Sequence, residues 1–112
     1  MSRPYETKQP TRKQIDRLPG IAVLEFGTNW CGFCAAAAPT IAKAFADYPN
    51  IRYIKAEDDS GRPLGRSFGI KLWPTLIFLS DGKETERLVR PSDVDEVSRA
   101  LGELAAKNQS DG

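Results

Sequence analysis

The sequence predicts one α/β domain with a central mixed sheet, an antiparallel hairpin near the C-terminus and helices on both faces. Two observations predict it: strand-like and helix-like segments alternate at first, and a hairpin and an amphipathic helix follow. The 112 residues suit a single domain, and 40% hydrophobic and 28% charged residues are typical of a globular protein. We expect a core over about 11–106 and a frayed tail over 107–112.

The first helix and strand have clear local signals. Thr11 and Gln14 form a capping box that begins a short helix, and Pro19-Gly20 ends it. The run 21–26 is almost continuously apolar and rich in strand formers, which is typical of a central strand buried on both faces. Glu25 is its one charged member, so the pattern places a carboxyl group within the sheet.

The second helix begins at the two cysteines of the chain. Cys31 and Cys34 are followed directly by four alanines, which form helices readily, and apolar residues continue at helical spacing as far as Tyr48. Pro39 falls inside this helix, where its ring and its missing N–H predict a kink.

The second half of the chain predicts two strands, a hairpin and a final helix. Strands are expected over 51–56 and 75–79, and a turn over 80–83 leads into an antiparallel strand over 85–89. A short helix is expected within 60–68. The final helix begins at Ser92 and Asp95 and carries four apolar residues on one face. These residues are Val94, Val97, Leu101 and Leu104.

The composition excludes several kinds of chemistry. The chain has no histidine, which excludes Ser-His-Asp hydrolysis and Cys-His proteolysis, and its two cysteines are too few for a structural zinc site. A net charge of +1 predicts neither nucleic acid nor a membrane as partner. The first twenty residues do not resemble a signal peptide, so we expect a cytoplasmic protein. A mature chain whose leader has been removed would look the same.

The spacing of Cys31 and Cys34 indicates redox chemistry. Residues three apart on a helix share a face, so the two sulfurs are close enough to form a disulfide. At the helix start, backbone N–H groups and the helix dipole favour the Cys31 thiolate, which is the attacking species. Cys34, one turn further, is then shielded and suited to resolving a mixed disulfide. The plainer alternative is a chance pair of buried cysteines, which a C-x-x-C alone does not exclude.

In this context the chain resembles the thioredoxin family from about Ile21 to Ala106. Residues 30–34 read W-C-G-F-C where the family has W-C-G-P-C, and Pro39 matches the helix-kinking proline of the family. Residues 68–76 are similar to the segment that ends in the family's cis-proline, with Pro74 at that place. The resemblance implies a thioredoxin fold and a thiol-disulfide oxidoreductase with no bound cofactor and no metal. It also implies a redox-active disulfide between the two cysteines.

The resemblance further implies roles for two charged residues. Glu25 stands six residues before Cys31, where thioredoxins usually carry a buried aspartate, and is implied to relay a proton to Cys34. Lys55 falls on the second strand, where the family places a lysine beside that acid, and is implied to pair with Glu25 and tune it. The plainer alternatives are that Glu25 reaches solvent at the strand end and that Lys55 is a solvated charge.

Substrate contacts are implied around the cysteines and the proline. A cis bond before Pro74 would bring an unpaired backbone segment beside Cys31, ready to pair with a substrate strand, whereas an ordinary trans proline would not. The implied contact residues are Trp30, Gly32, Phe33, Trp73, Pro74 and Thr75. The two tryptophans have an alternative interpretation as core aromatics.

Several residues depart from the family pattern around the substrate groove. Leu72 and Trp73 replace smaller side chains and Arg90 stands where thioredoxins tend to have glycine, which predicts a narrower set of partners. Phe33 replaces proline and restores a backbone N–H that can stabilise the Cys31 thiolate. This change predicts a couple less reducing than the roughly −270 mV of thioredoxin.

Three functions therefore remain open for the sequence. The favoured function is a monomeric reductase of protein disulfides, recycled by a flavin-dependent thioredoxin reductase. The second is a thiol oxidase or disulfide isomerase, which the replacement at Phe33 favours. The third is a non-catalytic binding module that uses the groove at Trp73, although such a module has no need of Cys31 or Cys34.

Overall fold

The computed structural model describes residues 3–59 and 62–110, the last three of them by backbone alone. Its helices and strands, in chain order, are α1 (Arg12–Asp16), β1 (Ile21–Gly27), α2 (Gly32–Phe45), β2 (Arg52–Glu57), α3 (Pro63–Ser67), β3 (Thr75–Ser80), β4 (Lys83–Val89) and α4 (Val94–Ser110). The strands form one sheet in the order β2-β1-β3-β4. β1 is parallel to β2 and antiparallel to β3, and β3 is antiparallel to β4, which confirms the mixed sheet.

Local sequence signals fix several element boundaries as expected. Thr11 and Gln14 make both hydrogen bonds of the capping box of α1. Asp81 and Gly82 connect β3 to β4 with φ angles of 50° and 82°, the left-handed pair that a two-residue hairpin turn requires. The side chain of Asp93 accepts from the Asp95 N–H at 2.9 Å, so Asp93 rather than Ser92 caps the start of α4.

The core occupies both faces of the sheet. One apolar cluster, which includes Val23 and Phe78, packs under α2 and α4, and a second, which includes Leu24 and Phe26, packs under α1 and α3. Successive strand residues point to opposite faces, so Glu25 lies on the Val23 side of the sheet, towards α2. The carboxyl group of Glu25 therefore lies between the sheet and α2, the helix that begins at the cysteines.

The folded part extends beyond the limits expected from the sequence. Tyr5 is 7% exposed, and Glu6 pairs with β2: its N–H donates to the Lys55 carbonyl and its carbonyl accepts from the Glu57 N–H, both at 2.9 Å. At the other end α4 continues to Ser110, past the expected end of the core. The expected helix within 60–68 is α3, and residues 60–61 and 111–112 lie outside the described part.

Among residues 3–59 and 62–110, no helix combines the length and apolar character that crossing a membrane requires.

Candidate active site

The two cysteines lie at the start of α2. Cys31 is the N-cap residue, with an extended backbone (φ −81°, ψ 122°), and its sulfur accepts a hydrogen bond from the Cys34 N–H at 3.3 Å. The sulfur thus takes the place of the side-chain oxygen that usually caps a helix, at the end where the dipole favours negative charge. Both thiols are free, with exposed fractions of 8% for Cys31 and 4% for Cys34.

The environment of Cys34 keeps it protonated at neutral pH. Burial raises the pKa of the Cys34 thiol to about 11, and the neighbouring Cys31 sulfur acts in the same direction. The Thr28 backbone and the Tyr5 hydroxyl oppose the shift without cancelling it. Because only a thiolate attacks a disulfide, Cys34 needs a group that removes its proton.

Glu25 is a buried carboxylate that β1 places on the side of the sheet that faces α2. It is 2% exposed, so its side chain does not escape to solvent at the strand end. Tyr5 donates a hydrogen bond to Oε2 of Glu25 and Tyr53 donates one to Oε1. Burial and the charge of Glu25 raise the pKa of both phenols, which stay protonated donors.

Lys55 does not make the direct pair with Glu25 that the sequence suggested. The two residues are register partners on β1 and β2, yet the Lys55 ammonium donates to the Arg3 carbonyl at 2.6 Å and lies 4.3 Å from the centre of the Tyr5 ring. Within the described residues no ion pair joins Lys55 to Glu25. Residues of the N-terminal segment are partners of both groups, because this segment pairs with β2: Tyr5 donates to Glu25, and the Arg3 carbonyl accepts from Lys55.

Tyr5 and Gly27 also belong to this site, although neither lies in a sequence motif that predicts redox chemistry. Tyr5 packs with Cys31 and Cys34. A Cβ atom added at Gly27 would lie 2.6 Å from the Cys34 sulfur and 2.7 Å from the Tyr5 hydroxyl. The missing side chain at Gly27 is therefore what allows the phenol to approach the thiol. We call Tyr5, Glu25, Tyr53 and Lys55 the rear pocket.

The opposite side of the cysteines is exposed and largely apolar. The exposed fractions of Trp30 and Phe33 are 66% and 58%. The Trp30 ring packs edge-on against the Trp73 ring, with 5.6 Å between the ring centres. The guanidinium of Arg90 lies 3.6 Å from the centre of the Phe33 ring. We call Trp30, Phe33, Leu72, Trp73 and Arg90 the front rim. Both tryptophans therefore line the surface beside the cysteines.

Backbone geometry at the front rim matches the sequence expectation for Pro74. The Trp73–Pro74 peptide bond is cis. Arg90 has a φ of 51°, and its N–H donates to the Pro74 carbonyl while its Nε donates to the Trp73 carbonyl, both at 2.8 Å. Thr75 is buried and its hydroxyl donates to the Leu72 carbonyl at 2.7 Å, so its side chain is turned away from the rim.

A buried acid supports the rim from beneath. Asp58 accepts a hydrogen bond from the Trp73 indole N–H at 2.9 Å, and burial raises the pKa of Asp58 above its ordinary value. The carboxyl group occupies the space where a side chain at Gly65 would stand. No pattern in the sequence marks this contact, since an acid in a loop carries no periodic signal of burial.

The described residues, 3–59 and 62–110, contain no group of three or more histidine, cysteine or acidic side chains placed to hold a metal ion.

Comparison with known proteins gives the family of this chain. The thioredoxin family model matches residues 5–103. A thioredoxin from Chlamydia muridarum is 33% identical over 90 residues, which are 80% of this chain and 84% of that protein. Thioredoxin Asp f 28 from Aspergillus fumigatus is 30% identical over 87 residues, covering 78% of this chain and 81% of that protein.

Solved structures agree with the sequence comparison. Thioredoxin 2 from Pseudomonas aeruginosa PAO1, in its reduced form, is similar with a TM-score of 0.86 and 47% identity, over 96% of this chain and 99% of that one. A thioredoxin from Nicotiana alata is similar with a TM-score of 0.68 and 25% identity, over 88% and 96% of the two chains. With its C-x-x-C pair at the start of α2, this chain belongs to the thioredoxin family of thiol-disulfide oxidoreductases.

Proposed function

We propose that this protein reduces protein disulfides, with Cys31 as the nucleophile and Cys34 as the resolving thiol. The observation that carries the proposal is the asymmetry of the pair. The Cys31 sulfur caps α2 and accepts the Cys34 N–H, whereas burial raises the pKa of Cys34 to about 11. The Cys31 sulfur therefore stands where a backbone N–H and the helix dipole stabilise negative charge, whereas Cys34 stays a thiol.

The reaction proceeds in two exchanges. The Cys31 thiolate attacks one sulfur of the substrate disulfide, whose S–S bond breaks, and the released sulfur takes a proton. Cys34 then loses its proton and attacks the Cys31 sulfur of the mixed disulfide. The second substrate sulfur leaves as a thiolate, and a Cys31–Cys34 disulfide remains. Two electrons pass from the cysteine pair to the substrate, so no bound cofactor is required.

The front rim is proposed as the substrate contact. Its exposed aromatic side chains stand beside Cys31, and apolar surface of this kind marks sites of protein contact. Gly32 contributes by leaving open space, since a Cβ added there would meet no atom within 4 Å. In this proposal the front rim binds the substrate chain that carries the disulfide, and the rear pocket accepts the proton of Cys34.

Members of this family act on protein disulfides and are reduced in turn by thioredoxin reductases. We propose the same cycle here, with a flavin-dependent reductase as electron donor and a monomer as the working form. Both cysteines of the chain belong to the redox pair, and none is left for a structural disulfide. This use of cysteine fits a reducing compartment, and we place the protein in the cytoplasm.

Alkylation and trapping test the assignment of the two cysteines. Iodoacetamide at neutral pH should modify Cys31 first in the reduced protein. Cys34→Ser should accumulate a mixed disulfide with an oxidised protein substrate, while Cys31→Ser should form none. Preferential labelling of Cys34 would reverse the two roles. Reduction of insulin disulfides, driven by a thioredoxin reductase, tests the reductive direction, and net oxidation of dithiol peptides in glutathione buffer would favour the oxidase alternative.

A further inference from the structure

The Tyr5 hydroxyl lies between the resolving thiol and the buried carboxylate. It donates a hydrogen bond to Oε2 of Glu25. The same ring packs against Cys34, and the hydroxyl and the Cys34 sulfur converge on the space left by Gly27, each within 2.7 Å of the point where a Cβ would stand. The Tyr5 hydroxyl is thus hydrogen-bonded to the carboxylate and lies close to the thiol.

We propose that Tyr5 is a catalytic residue that carries the proton from Cys34 to Glu25 when the mixed disulfide is resolved. The proposal rests on the proposed function in one respect, namely that Cys34 is the resolving thiol. It adds a named route for the proton of a thiol whose residue is only 4% exposed.

The charged groups around Glu25 leave its carboxylate free to act as the acceptor. Arg3 and Lys55 are the nearby cations, and each is directed to a backbone carbonyl: Arg3 to that of Tyr53 at 2.5 Å and Lys55 to that of Arg3 at 2.6 Å. Both carboxylate oxygens instead accept from phenols. Since a phenol can donate one proton while it accepts another, Tyr5 can pass a proton and remain neutral.

The step balances without a further reactant. The Cys34 proton moves to the Tyr5 oxygen while the original phenol proton moves to Oε2 of Glu25. The Cys34 sulfur forms a bond with the Cys31 sulfur, and the bond between Cys31 and the substrate breaks. The substrate leaves as a thiolate and takes a proton from solvent. Glu25 then releases its proton to the cleft of about 380 Å³ between α2 and β2, which its side chain lines.

The N-terminal segment holds the phenol in place. The Tyr5 N–H donates to Oδ1 of Asn29 at 2.8 Å, and Nδ2 of Asn29 donates back to the Tyr5 carbonyl at 3.3 Å. The next residue, Glu6, is paired with β2. Backbone anchors on both sides of the ring therefore fix its position, as a proton relay requires.

Tyr53 supplies a matched control within the same pocket. Its hydroxyl donates to the other carboxylate oxygen of Glu25. Its ring stacks on the ring of Phe45, with 4.2 Å between the ring centres, at the end of α2 away from the cysteines. Tyr53→Phe removes one hydrogen bond from the same carboxylate and leaves the route from Cys34 intact. Tyr5→Phe removes the same kind of hydrogen bond and also interrupts the route.

The experiment uses an aromatic disulfide whose thiolate product absorbs light. With the reduced protein in stopped flow, the first product thiolate reports attack by Cys31 and the second reports resolution by Cys34. We expect Tyr5→Phe to slow the second phase between about tenfold and a hundredfold, while the first phase changes by less than about twofold. The slowed phase should also accelerate more steeply with pH, because solvent must then ionise Cys34.

Tyr53→Phe should slow the second phase by less than about threefold, in keeping with the loss of one net hydrogen bond. Equal slowing in both variants, or none in Tyr5→Phe, would overturn the proposal. Cys34→Ser should abolish the second phase, and if it does not, the proposed function itself is wrong. The unmodified protein allows a further test, in which the rate of the second phase is measured in mixtures of H₂O and D₂O. If two protons move together, this rate depends on the D₂O fraction along a curve, and a linear dependence contradicts the relay.

Discussion

The front rim and the rear pocket flank the same two sulfurs and differ in almost every physical property. The rim exposes the aromatic side chains of Trp30 and Phe33 and carries one half-buried cation, Arg90, whose side chain donates to a backbone carbonyl. The pocket buries a carboxylate, two phenols and a lysine, and each of these polar groups has a named partner. The difference indicates that substrate contact and proton transfer are separated on opposite sides of Cys31 and Cys34.

This separation has an energetic basis. Exposed aromatic side chains can be replaced by mutation with a small loss of stability, because they are already in contact with water. Buried polar groups cannot, since loss of one partner leaves another group desolvated and unsatisfied. Variants of the rim should therefore alter substrate preference, and variants of the pocket should alter the resolving step and the stability.

The largest expected effect is on the chemistry of the pocket. Glu25→Gln keeps the shape of the side chain and removes its ability to accept a proton, so resolution by Cys34 should slow by about a hundredfold. Attack by Cys31 should be unchanged in rate, because the hydrogen bonds of Glu25 run to Tyr5 and Tyr53 and not to Cys31. The two phases of the stopped-flow reaction measure both rates. If neither phase changes, Glu25 is a structural residue only.

Two glycines test the comparison through packing. Gly27→Ala places a methyl group 2.6 Å from both the Cys34 sulfur and the Tyr5 ring, which must shift, so the free energy of unfolding should fall by about 1–3 kcal/mol. Gly32→Ala meets open space on the rim side of α2 and should raise it by up to about 1 kcal/mol. Urea denaturation measures both. Similar losses in the two variants would contradict the contrast between the two sides.

The sequence predicted the parts of this molecule that depend on local patterns. Apolar runs and turn residues predicted every strand, and the C-x-x-C spacing predicted a helix that begins at the cysteines. The cis peptide bond at Pro74 was implied by the resemblance to the thioredoxin family. Glu25 was expected to be buried, since the residues around it in β1 are apolar. Its role as a proton relay stays a prediction.

The rear pocket was not predictable in this way. Tyr5 lies in a polar segment twenty residues before Glu25. A backbone bridge from Glu6 to β2 and two hydrogen bonds to Asn29 hold Tyr5 in the site, and such contacts leave no periodic pattern in the sequence. The resemblance to the thioredoxin family implied that Lys55 pairs with Glu25, but the Arg3 carbonyl is the acceptor of the Lys55 ammonium. The one available signal was Gly27, since a glycine ending a buried strand often marks a close approach.

A smaller effect should come from the cation of the rim. Arg90 stands over Phe33 and holds the Trp73 carbonyl, so a substrate chain docking on the rim meets a positive charge. We expect Arg90→Ala to raise KM by about threefold for a disulfide peptide with glutamate beside its cysteine, in line with an exposed ion pair of up to about 1 kcal/mol. The same peptide with glutamine serves as the control. An equal rise in KM for both peptides would mean that Arg90 only stabilises the backbone at Trp73 and does not contact the charge of the substrate.

The smallest expected effect concerns Phe33 and the reduction potential. The sequence suggested that its N–H stabilises the Cys31 thiolate, yet in the structure the donor to the Cys31 sulfur is the Cys34 N–H. Proline is tolerated in the first turn of a helix, so Phe33→Pro keeps that donor. We therefore expect the potential to become more negative by less than about 30 mV, the equivalent of one charge-assisted hydrogen bond.

Equilibration with glutathione buffers measures this potential in both proteins. A shift well above that value would mean that the Phe33 N–H reaches the sulfur in the thiolate form, and the rim would then take part in the chemistry as well as in contact. No shift, together with a weaker interaction with protein substrates, would place Phe33 wholly on the contact side. Phe33 is the rim residue between the two cysteines. The outcome therefore decides whether the front rim influences the reduction potential of Cys31 and Cys34 or only contacts the substrate.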